Sequence, residues 1–171
     1  MPMQFIEPSY PENTDVAELR TAELFGMAAL RLWAAPYREP GFEHADWREG
    51  FAAAGLGCGA LSGFDTLMLI VSTAALRPLD VRCLRCTKLG QDEGLFLQLL
   101  ATLQQHRADL AAAVLGQWLP PAAARAALEP AQGLADALAA GGLMLPRRRA
   151  SDPTDAVLRG LRPKPQLVWV H

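Results

Sequence analysis

The stretch "QDEGLFLQLLATLQQ", residues 91–105, sets Leu95, Phe96, Leu99, Leu100 and Leu103 three and four residues apart, with Gln98, Thr102 and Gln105 falling elsewhere. That spacing follows the 3.6-residue period of a helix with one apolar face. Asp92 and Glu93 stand where its first turn belongs, and negative charge there complements the helix dipole.

Working outward, the same device recurs. Downstream, "ADLAAAVLGQWL" carries Leu110, Val114, Leu115 and Trp118, and Pro120 and Pro121 close it and open a short helix, "AAARAAL". Leu134, Ala135, Leu138 and Ala139 mark one more helix, capped by Gly141 and Gly142. Upstream, "ALSGFDTLMLIVSTAAL", residues 60–76, reads as a central buried helix ending at Pro78. It barely reaches the length that spans a bilayer and carries Asp65, which argues against a membrane segment. Trp47 and Phe51, four apart, share a face of a short helix over about residues 45–54. The segment "DVAELRTAELFGMAALRLWAA" follows a cap at Asn13 or Thr14 and predicts a first helix ending before Pro36.

Short connections between such segments predict an all-α fold: a compact single domain of about six or seven helices over residues 1–146. Its N-terminal arm, with Pro2, Pro8 and Pro11, should be extended and lay Phe5, Ile6 and Tyr10 on the body. Residues 147–171 form a basic C-terminal tail, kept extended by Pro163 and Pro165 and ending in Leu167, Val168, Trp169 and Val170. So apolar a segment is expected to dock on its own core or on a partner subunit.

Composition limits the function classes. Half the residues are hydrophobic (51%) and 20% are charged, which suits a globular chain and excludes a disordered one. The net charge of -2 conceals an asymmetry: from Arg147 on, six basic residues face two acidic ones, so the tail carries +4 and the remainder -6. Arg147, Arg148 and Arg149 are the dense basic patch and a candidate interaction site, together with Trp169. No aromatic interleaving or helix-turn-helix pattern accompanies them, so specific nucleic-acid recognition is not expected. The opening "MPMQFIEPSYPENTD" does not read as a secretory signal, and three cysteines fit a reducing compartment; a cytoplasmic location is the expectation.

One motif carries chemistry. Cys83 and Cys86, in "RPLDVRCLRCTKLG", have the C-x2-C spacing at which two thiolates grip one zinc ion. Cys58 is the best candidate for a third ligand, with Asp80 and His106 as others. His106 lies about 20 Å along the following helix, which counts against it. A redox pair is a further reading, although Asp92 and Glu93 would repel a thiolate at that helix terminus. The plainest reading is two small residues packing a loop. Asp92 and Glu93 point about 100° apart and do not form an acid–base pair, and His44, His106 and His171 have no nucleophile at an informative spacing. The glycines of "GLGCGALSG" follow no strand and make no phosphate loop.

The leading expectation is therefore a noncatalytic protein that binds another protein or itself, as in a homodimer, with no cofactor. The alternative is a zinc-binding or redox-responsive protein using Cys83 and Cys86. A third class, an enzyme acting on an apolar ligand between the first and third helices, needs an enclosed cavity with convergent polar groups.

Overall fold

The computed structural model describes residues 9–148. Among them lie six helices and no strand: α1 (Thr21–Arg38), α2 (Trp47–Ala53), α3 (Cys58–Ala74), α4 (Gln91–Gln104), α5 (Ala108–Leu115) and α6 (Pro121–Ala140). The all-α class expected from the periodicities is what the chain adopts. None of the described helices is long and apolar enough to cross a membrane. Phe5, Ile6, Arg149, Trp169 and His171 lie outside the described residues.

The central element is α4. Every side chain from Asp92 to Leu103 is buried, and α1, α5 and α6 all pack on it. Of the polar residues that fall off the apolar face, Gln98 and Thr102 are therefore inside, while Gln105 at the C-cap is half-buried. Gln98 accepts a hydrogen bond from the Ser9 N–H (3.1 Å) and the Thr102 hydroxyl donates to the Leu99 carbonyl (2.8 Å), so neither is buried without a partner. The central place expected for α3 belongs to α4 instead. α3 lays Ala60, Phe64, Leu67, Met68 and Val71 inward, mostly against α6, and leaves Leu69 62% exposed. An apolar composition all round a helix does not say how many of its sides find neighbours.

Two prolines mislead the boundaries. α1 runs through Pro36, which sits in its last turn, and the Glu39 N–H still reaches the Ala35 carbonyl at 3.0 Å. At its other end the helix starts late: Asp15 caps a separate 3-10 turn (Val16–Glu18), and Leu19 and Arg20 are extended before Thr21. α6 likewise runs through Pro130 and fuses two expected helices into one of 20 residues. A proline in a helix removes one donor and crowds the previous turn; here the α3–α6 packing holds the helix together. A methyl group on Gly63 of α3 would lie 2.9 Å from both the Pro130 carbonyl oxygen and the Leu134 nitrogen, so the two backbones touch at that residue.

The expected Trp47–Phe51 pair is present, with ring centroids 5.4 Å apart; Phe25 of α1 and Phe64 of α3 complete a cluster that ties α2 to the body. α6 stops at Gly142, with φ +79°, and the Leu143 N–H closes on the Leu138 carbonyl at 2.8 Å. That six-residue closure marks a Schellman cap. The chain then crosses α4 once more: Gln104 donates to the Leu143 carbonyl (3.0 Å) and accepts from the Leu145 N–H (2.9 Å). This path brings Arg148 to the start of α1.

Candidate functional site

The connection between α3 and α4, which contains the C-x2-C motif, is held by the two acidic residues that open α4. Glu93 is fully buried and receives Nε and one Nη of Arg31 at 2.7 and 2.9 Å. It also receives the backbone N–H groups of Gly90 (2.7 Å) and Arg82 (3.0 Å). Arg31 spends its other donors on the Cys86 and Lys88 carbonyls, at 2.7 and 3.0 Å. One buried ion pair thus grips the loop at four backbone positions.

Asp92 points elsewhere. It receives both terminal nitrogens of Arg77 at 2.7 Å, the Trp118 indole N–H at 2.8 Å and the Asp80 backbone N–H. Burial pushes its carboxyl up, but the Arg77 guanidinium and the two N–H donors outweigh that and hold it below the usual carboxylate range. The adjacent carboxylates diverge as the helix geometry requires and share no proton. Their role goes beyond complementing a dipole, because each is an anchor for a distant segment.

A third buried carboxylate, Glu23, meets the Tyr10 hydroxyl (2.7 Å), the Arg20 N–H (2.7 Å) and the Arg148 guanidinium (2.5 Å). Burial opposes its ionisation, while the Arg148, Arg20 and Tyr10 hydrogen bonds outweigh it and hold the carboxyl down. Tyr10 is driven well above the ordinary phenol value by burial and by Glu23. Of the basic patch, then, Arg148 is bound within the body, whereas Arg147 is exposed.

Cys83 and Cys86 are joined by a disulfide, with Cα atoms 5.3 Å apart and the Cys86 N–H closing a turn on the Cys83 carbonyl at 3.1 Å. Both are half-buried. Cys58, the suggested third ligand, is a free exposed thiol opening α3. Asp80 accepts from the Gln91 N–H and from Arg82, and His106 is exposed at the far end of α4. Among the described residues no group of three or more histidine, cysteine and acidic side chains is placed to hold a metal ion.

Between the last turns of α1 and α3 lies an apolar groove of about 580 Å³, lined by Trp33, Tyr37, Val71, Ala75, Leu76 and Leu79, with Arg38 and Arg77 at its edge. Tyr37 is 71% exposed and Leu76 66%, and the Trp33 and Tyr37 rings stand 5.1 Å apart. It is open to the surface, and Ser72, Arg38 and Arg77 supply its polar lining.

Sequence reasoning missed Arg31 and Glu23; Tyr10 lies on the body as expected, but its hydroxyl's partner, Glu23, was not foreseen. The available signal was a single arginine inside the otherwise apolar "GMAALRLWAA", where a charge survives only with a buried partner. Comparison with protein-family models, curated proteins and solved structures finds no significant match.

Proposed function

We propose that this protein is a noncatalytic, cytoplasmic helical protein that acts by self-association, its α1–α3 groove receiving the Leu167–Val170 segment of a second copy. The observation that carries the reading is the groove itself: large apolar and aromatic side chains, Tyr37 and Leu76 foremost, left in water on one contiguous face. The chain also contains an apolar segment of matching character, Leu167–Val170.

The experiment places a charge on each side of the contact separately. Leu76→Lys in the groove and Trp169→Lys in the segment should each convert a dimer to a monomer in sedimentation velocity at moderate salt. A dimer that survives both substitutions would refute the groove as its interface, and a wild-type monomer whose Trp169 is shielded from a quencher would make the docking internal to one chain.

A further inference from the structure

We propose that Cys83 and Cys86 form a thiol–disulfide exchange site, with Cys83 the attacking sulfur and a small thiol or disulfide as its substrate. Two observations converge on it. First, the bridge staples little. It closes a loop of four residues, the kind of closure that removes the least chain entropy. The same loop is independently held by Arg31 on the Cys86 and Lys88 carbonyls and by Glu93 on the Arg82 and Gly90 N–H groups. The sulfurs can therefore part while the backbone around them keeps its anchors.

Second, the two sulfurs are placed differently. A cavity of about 380 Å³ between the last turns of α1 and this loop is lined by Cys83 and not by Cys86. Cys86 is the residue whose carbonyl is clamped by Arg31. A molecule entering this cavity meets Cys83, which leaves Cys86 as the resolving thiol.

The chemistry balances without a cofactor. The Cys83 thiolate attacks one sulfur of a small disulfide, forming a mixed disulfide and releasing one thiolate. The Cys86 thiolate then attacks the Cys83 sulfur, closing the protein bridge and releasing the second. The cysteine pair loses two electrons, the small disulfide gains them, and the two thiol protons pass to the two departing thiolates.

The test uses the full chain with Cys58→Ser, equilibrated in glutathione buffers of graded reduction and read by alkylation and intact mass. The pair should titrate as one two-electron couple within the buffer range. With Cys86→Ser added, glutathione disulfide should leave one adduct per chain on Cys83, while Cys83→Ser should leave none on Cys86. A bridge that stays closed across the buffer range is a structural bridge and overturns the proposal. Equal adducts on both single variants overturn the assignment of Cys83.

Discussion

Arg31 of α1 and Glu93 of α4, 62 residues apart in the chain, meet through two hydrogen bonds of 2.7 and 2.9 Å with both side chains sealed from water. An ion pair so buried adds little net stability relative to apolar packing, but removing one partner leaves the other charged and dry. Arg31→Met should therefore lower the unfolding free energy by about 3–5 kcal/mol. Adding Glu93→Gln to that variant should cost much less than it does alone, read from urea midpoints. Additive losses would mean the two residues act independently.

Acid should unfold the protein by a stated route. The Glu23 and Asp92 carboxyls are held below their ordinary values in the fold. Unfolded, each returns to about 4, so the unfolded chain binds protons more readily. Their contribution is complete at neutral pH and is lost as pH falls below about 4. Urea midpoints should be flat from pH 7 to 5 and drop toward pH 3; a midpoint unchanged at pH 3 would contradict the assignment.

Arg148 and Arg147 should behave as opposites despite being neighbours. Arg148→Ala strips the guanidinium from Glu23 and should cost about 1–2 kcal/mol, allowing for its partial exposure. Arg147→Ala, on an exposed side chain, should change stability by less than about 0.5 kcal/mol. Chemical denaturation of the two variants side by side checks both.

Gly63→Ala tests the α3–α6 contact. The added methyl meets backbone atoms of α6 at 2.9 Å, and backbone cannot rotate away as a side chain can. A loss of about 1–3 kcal/mol is expected, appearing as a lower melting temperature. An unchanged or higher value would mean that the two helices separate at no cost.

What the chain revealed in advance followed from periodicity. α4, α5 and the Trp47–Phe51 pair were legible because their apolar spacing is local and regular. The joining of α6 across Pro130 and the extension of α1 through Pro36 were not, because packing against α3 and the late position in a last turn override a proline's local penalty. The site was only half legible. Cys83 and Cys86 stood out by spacing, but their clamp depends on Arg31, whose role rests on a contact 62 residues away that no local pattern records.

Light scattering of the full chain over a wide concentration range decides whether it self-associates through the α1–α3 groove. The molar mass should approach twice 18.5 kDa as concentration rises and return to 18.5 kDa in the Leu76→Lys variant. A mass of 18.5 kDa for the unaltered chain at every concentration would contradict it.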